Sequence, residues 1–318
     1  MMSTSITPFK NLLLPVDTLE AFGRVLPLVR LLIGTMKIDA DQTQLLHIVA
    51  GSFLRDHMET IDIASGEVPT AEDMKFLHQH HVEQVVTPLL YQASDLLRSN
   101  TGDYSSDLMI LDGDPVKRID EVCRDKNYST LVMSRRNRAA ESAKLTGSVV
   151  AGVLHRHVDA TIYLVGDEPL PDGVSPFARC LIGIDGSAAS KNAVMEAGML
   201  LKEAGSENQK VFLVHVLDQS CYYDEDGITC MEASEFGQKA LEEAGNQLID
   251  IGVDQEKIST VIHFGKPGTI LAEEAISCDA TLIFIGRRDR SRTAQVFLGS
   301  VCTDMIQNCR ERTIVLTS

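Results

Sequence analysis

Two aspartates each close a short apolar run: Asp17 ends KNLLLPVD over 10–17, and Asp185 ends ARCLIGID over 178–185. A carboxylate at the carboxyl end of a buried strand can accept hydrogen bonds from ribose hydroxyls or an adenine amino group, and ligands of open α/β sheets bind at that end. Aspartate also caps a following helix well, so both roles stand open. Further on, Gly147-Ser148 and Gly299-Ser300 each precede a helical pattern. A helix start offers free N–H groups and a positive dipole end to a phosphate; glycine permits close approach and serine adds a hydroxyl. An ordinary turn with a cap reads the same way. The loop before the second of these pairs is Arg287-Arg288-Asp289-Arg290-Ser291-Arg292, and the first has Arg135, Arg136 and Arg138. In a chain of net charge −16, matching basic clusters point to a local anion site, with charge compensation on a solvated surface as the alternative.

Other chemistry finds less support. The chain has no GxxxxGK[ST] loop, no GxGxxG fingerprint and no GxSxG elbow. His78-Gln79-His80-His81 puts two histidines on one helix face, but no acidic or cysteine pattern completes a metal site, and a solvated helix face is the better reading. His155 and His157 flank Arg156 near a helix end, where cations suit the dipole. His47 and His215 end buried-looking strands, where a structural histidine with a satisfied hydrogen bond is expected. The seven cysteines form no CxxC pair, and most sit in apolar patterns as small hydrophobes. No residue pair singles itself out for general acid–base work, so no catalytic residue and no metal ligand is named.

The elements that must hold these residues come in duplicate. QLLHIV over 44–49 matches FLVHVL over 212–217, and Asp17 matches Asp185, both at an offset of 168. Gly113-Asp114-Pro115 matches Gly265-Lys266-Pro267, TLVMSRR over 130–136 matches LIFIGRR over 282–288, and Gly147-Ser148-Val149 matches Gly299-Ser300-Val301, all at 152. The first copy therefore carries 16 extra residues between His47 and Gly113, near 50–100. A helix is expected there after Thr70, with Asp73 at the capping-box position and Pro88 breaking or kinking it. In the second copy, strands are expected at 178–184, 210–217, 258–264, 280–286 and 312–317. Helices fall near 188–204, 231–251, 268–278 and 299–309. Val-, Ile- and Leu-rich strands alternating with helices imply a parallel sheet covered on both faces. The fold class is thus α/β: two tandem doubly wound domains, residues 1–168 and 176–318, each with its own five-stranded parallel sheet. The join at 167–177, DEPLPDGVSPF, has no periodicity. The copies are expected to pair within the chain across a pseudo-twofold, with the final strands 161–165 and 312–317 at the interface. Further homo-oligomerisation is left open.

With 44% hydrophobic and 23% charged residues, the chain reads as globular. Both halves are acidic, which argues against generic binding to nucleic acid or anionic membrane. Met1–Lys10 shows no signal-peptide pattern and no apolar run reaches membrane-spanning length, so a cytoplasmic location is expected.

These residues resemble the universal stress protein family in a tandem two-domain form, over nearly the whole chain apart from 50–100. Members that bind ATP carry Gly-x2-Gly-x9-Gly-Ser/Thr after the fourth strand. The second copy reads Gly286-x2-Asp289-x9-Gly299-Ser300, one substitution away; the first reads Ser134-x2-Asn137-x9-Gly147-Ser148, two away. The resemblance implies the adenine nucleotide alpha hydrolase-like fold. It also implies a site in which Asp185 meets sugar or base, backbone near Val216 meets adenine, and Gly286, Asp289, Gly299, Ser300 and Val301 line the phosphate path. A weaker second site would use Asp17, Ile48, Ser134, Asn137, Gly147, Ser148 and Val149. Asn tolerates left-handed backbone almost as Gly does; the Asp289 carboxylate opposes a phosphate unless Arg287 and Arg288 offset it. Two functions follow. One is a regulatory protein sensing ATP or AMP in the second copy, the triphosphate with Mg2+, with little or no turnover and at most weak ATP hydrolysis. The other is a nucleotide-free stress-response scaffold of the same fold. A hydrolase or transferase acting on a nucleotide ranks third.

Overall fold

The computed structural model describes residues 8–51, 70–98, 106–135, 148–156, 158–167, 173–205, 209–218, 231–287 and 298–318. The first half holds strands β1 (Leu12–Pro15), β2 (Thr43–Val49), β3 (Asp107–Asp112), β4 (Thr130–Ser134) and β5 (Thr161–Val165). Its helices are α1 (Leu19–Met36), α2 (Ala71–His81), α3 (Thr87–Arg98), α4 (Pro115–Asp125) and α5 (Ser148–Leu154). The second half holds β6 (Arg179–Gly183), β7 (Lys210–Asp218), β8 (Ile258–Gly265), β9 (Leu282–Gly286) and β10 (Thr313–Thr317), with α6 (Ala188–Ala204), α7 (Met231–Ile251), α8 (Pro267–Ser277) and α9 (Ser300–Asn308).

Every strand pair within a half is parallel, and both halves use the same order, β3-β2-β1-β4-β5 and β8-β7-β6-β9-β10. The expectation of two separate sheets fails. β10 pairs antiparallel with β5, Val315 opposite Tyr163, and the halves fuse into one ten-stranded sheet. The reason is edge chemistry: each final strand is short, buried and apolar, and its unpaired N–H and C=O groups need a partner that only the other copy supplies within the chain. Alternate residues feed opposite faces. Leu12 and Leu14 join a core with α1, α3, α6 and α7, while Leu13 joins one with α4, α5, α8 and α9, and each core runs through both halves. Full burial of a leucine contributes about 1.5–3 kcal/mol, so the shared cores tie the copies together strongly.

Local chemistry fixes the boundaries. Gly113 and Gly265 end β3 and β8 at φ 126° and 147°, a region that L side chains avoid, and the following Pro115 and Pro267 open α4 and α8. Thr70 caps α2 with the capping box anticipated: its hydroxyl accepts from Asp73 N at 3.2 Å while Asp73 Oδ2 accepts from Thr70 N at 2.9 Å. Pro88 does not break the helical run. A π turn over Val82–Val86 precedes it, with Thr87 N–H donating to Val82 O, so the chain widens where proline can neither donate nor tolerate the usual carbonyl. This run links β2 to β3 as α7 links β7 to β8, so the extra residues lengthen a connection both halves share.

One buried polar cluster crosses the junction. Glu196 on α6 accepts from Thr161 Oγ1 at 2.6 Å and from the Tyr163 hydroxyl at 2.7 Å, both on β5. The matching residue of α1 is Leu28, so only one side carries the cluster. Burial pushes the Glu196 carboxyl up from 4.5 to about 7, against the pull of the two hydroxyls. The folded protein thus keeps a proton that the unfolded chain gives up. That stabilisation is complete below the unfolded value and is lost as pH rises through about 7. The full difference is on the order of 3 kcal/mol. Glu196→Gln keeps the shape and removes the titration, so its urea midpoint is expected to fall less than the parent's between pH 5 and 8. Equal pH slopes for the two proteins would refute this assignment.

Candidate functional site

In each half the strand order reverses between the first and fourth strands, which opens a crevice at their carboxyl ends. The register aligns the residues there. Val214 pairs with Gly183 and Ile182 with Phe284, so two residues on, Val216 stands level with Asp185 and Gly286 level with Ile184. In the first half Pro15 pairs with Leu46 and Leu13 with Leu131, which sets Ile48 level with Asp17 and brings Ser134 level with Val16. A histidine locks each arrangement: His215 Nδ1 lies 2.7 Å from Ile184 O, and His47 Nδ1 lies 2.7 Å from Val16 O.

The aspartates are not the helix caps. Thr18 caps α1, its hydroxyl accepting from Ala21 N at 3.1 Å, and Ser187 caps α6, accepting from Ser190 N at 3.2 Å. Asp17 and Asp185 are exposed at the crevice mouth, and Asp185 Oδ1 accepts from Ser187 N at 3.0 Å. Gly186 between them takes φ 75°, turning the chain so that carboxylate and cap stand side by side.

The phosphate path is expected at the start of α9. Gly299 is its N-cap, with no side chain among the described residues capping it; Gly299 and Ser300 are exposed and Val301 is half-buried. Cys302 Sγ lies 4.0 Å from Gly286 O, so the first turn of α9 stands over the end of β9. A Cβ on Gly299 would meet nothing within 4 Å, whereas one on Gly286 would lie 2.6 Å from Ser190 N. The missing side chain of Gly286 is therefore explained by the close seating of α6, and clearance for a ligand is not needed to account for it. In the first half Ser148 begins α5 and Val149 is half-buried. Asp289, Asn137 and Gly147 lie outside the described residues, as do Arg136, Arg138, Arg288, Arg290, Ser291 and Arg292.

Two arginines read as anion ligands have another task. Arg135 is buried and donates to Ile306 O and Cys309 O, each at 3.0 Å, and to Arg312 O at 3.3 Å, all in the second half. Arg287 does the reciprocal work, donating to Val158 O at 2.8 Å and Ala160 O at 3.0 Å. The pairing of β5 with β10 sets the residue after β4 or β9 beside the last turn of the other half, where carbonyls face inward without helix partners. Burial draws the Arg135 guanidinium down to about 10, opposed by the Asp167 carboxylate, so it stays charged at neutral pH. Arg287, one of the two arginines expected to offset Asp289, thus spends its hydrogen bonds on the other half.

Burial pushes the Cys123 and Cys180 thiols up to about 12 and Cys278 to about 11, which leaves them as inert thiols. His78 pairs with Asp112 at 2.6 Å, and no metal-ligating cluster exists among the described residues. No helix there is long and apolar enough to cross a membrane. The sequence reading missed Phe236 and Gly237, in the first turns of α7. The Phe236 ring meets His215 at 6.4 Å, edge to face, and a Cβ on Gly237 would lie 2.5 Å from His215 Cδ2. A Phe-Gly pair opening a helix beside a strand-end histidine was the available signal.

Comparison with known proteins follows this geometry. The model of the universal stress protein family matches residues 176–316. Universal stress protein Rv2623 of Mycobacterium tuberculosis H37Rv is 30% identical over 177 residues, 54% of this chain and 56% of the relative. The chain thus matches little more than half the length of this curated relative. Among solved structures, a universal stress protein from Archaeoglobus fulgidus DSM 4304 superimposes with a TM-score of 0.66 at 19% identity, covering 97% of this chain and 98% of that one. Protein PA1789 of Pseudomonas aeruginosa PAO1, described as functionally unknown, gives 0.55 at 14% identity over 99% and 94%. At these identities the two structures speak for the fold.

Proposed function

We propose that this chain, whose residues 176–316 match the model of the universal stress protein family, is a regulatory protein whose second half binds an adenine nucleotide, ATP or AMP, with little or no turnover. The observation that carries this reading is the start of α9, which no side chain among the described residues caps, standing over the end of β9, in a half whose crevice aspartate leaves the capping of α6 to Ser187. In this reading Asp185 and the backbone at Val216 hold the ribose and base. The N–H groups at Gly299, Ser300 and Val301 hold the phosphates, with Gly286 framing the path, and a triphosphate brings its Mg2+. Residues 1–168 and 176–318 act as two copies, of which the second is the better site because it keeps the family pattern at all but one position. Asp17, Ile48, Ser134, Asn137, Gly147, Ser148 and Val149 form the weaker counterpart. In this reading the protein is cytoplasmic.

Asp289 sets the phosphate preference. Its carboxylate repels each added phosphate, and Arg287 is committed to the other half. Asp289→Gly is expected to tighten ATP by roughly 10-fold, the effect of losing about 1.4 kcal/mol of repulsion, and to change AMP less. Calorimetric titration of both nucleotides into parent and variant checks this; equal ATP affinities would remove Asp289 from the phosphate path. The withdrawal of Arg135 and Arg287 from ligand duty is also the observation that favours the second reading, a nucleotide-free interaction scaffold of the same fold.

A further inference from the structure

Asp185 and Val216 approach the base position from the sheet, and one more wall of that position is built from α7. Phe236 lies against Gly186, the residue after Asp185: a Cβ there would fall 2.6 Å from the ring Cζ. On its other side the ring meets His215, the residue before Val216, at an interplanar angle of 64°. Phe236 therefore touches the chain neighbours of both residues assigned to ribose and base, yet 54% of it remains open to solvent.

Three local features hold it there. Gly186, at φ 75° and without a side chain, leaves room for the ring. Gly237 lets α7 settle onto the His215 imidazole, where any Cβ would collide. The His215 ring is itself fixed by Ile184 O. A large apolar ring held on two sides and bare on the rest is what a planar base can lie on, because every base has a π face and stacking asks for no hydrogen-bond pattern.

We propose that Phe236 is the stacking shelf for the base in the second-half crevice and, because a purine covers more of the ring than a pyrimidine does and stacks more strongly, a residue that favours purine nucleotides. This rests on the nucleotide reading above and adds the group that selects the base.

The test titrates AMP, UMP and ribose 5-phosphate into the full-length parent, Phe236→Ala and Phe236→Tyr. The shelf predicts that alanine weakens AMP by roughly 10- to 100-fold, the range of aromatic stacking on a base. Tyrosine should restore AMP affinity, UMP should bind the parent more weakly than AMP, and ribose 5-phosphate should be indifferent to the substitution. Because the chain has no tryptophan, Phe236→Trp adds a single reporter whose emission AMP should quench and ribose 5-phosphate should not. If the parent binds AMP and the alanine variant binds it equally or more tightly, the shelf is wrong while the nucleotide site stands. If the parent itself binds no AMP, both are overturned.

Discussion

Gly299→Val is expected to abolish AMP and ATP binding while leaving the protein folded. Gly299 has φ −56° and ψ 152°, backbone that any residue adopts, and no atom of the described residues lies within 4 Å of where its Cβ would stand. Valine is therefore tolerated by the fold, at a cost of about 1 kcal/mol for a poorer N-cap. The branched side chain nonetheless fills the approach to the first N–H groups of α9, where phosphate oxygens must come within hydrogen-bond reach. Hydrogen bonds to a charged group contribute about 1.5–3 kcal/mol each, so losing two of them weakens binding roughly 100-fold or more. Calorimetry measures the loss, and a urea melt confirms the fold. A folded variant with parental affinity would move the phosphate away from α9.

The second large effect is on stability. Arg135→Met should destabilise the chain by about 3–5 kcal/mol, because it strands the carbonyls of Ile306, Cys309 and Arg312 in a buried place that water does not reach. The thermal midpoint is expected to fall by roughly 5–10 °C. Arg98→Met is the control: that side chain is exposed and, among the described residues, pairs with Asp95 one turn away, a contact worth well under about 1 kcal/mol. Similar midpoints for the two variants would mean that the Arg135 bonds do not hold the halves together.

What the sequence could disclose depended on whether the cause was local. Helix α6 was legible at both ends, since its apolar spacing runs at 3.6 residues and Ser187 and Gly205 mark the caps, Gly205 with its N–H on Leu201 O. Gly113-x-Pro and Gly265-x-Pro were legible as repeats because a positive φ and a helix start each demand a particular residue. Fusion of the two sheets was not, since the apolar pattern of β5 or β10 does not say whose edge will cover it. The arginines misled for a related reason: a guanidinium reads the same whether it meets a phosphate or the carbonyls of a distant helix end. Gly286 pointed to ligand clearance only until the amino end of α6 was seen beside it. The aspartates had an even choice between cap and ligand, and it was Thr18 and Ser187, each one or two residues on, that took the capping role.

The central claim is that an adenine nucleotide occupies the second half. Native mass spectrometry of the purified full chain, with AMP and then ATP added in excess, tests it most directly. A mass shift of one nucleotide per chain is expected before a second appears, and none for Gly299→Val. A parent that stays at its bare mass under these conditions would contradict it.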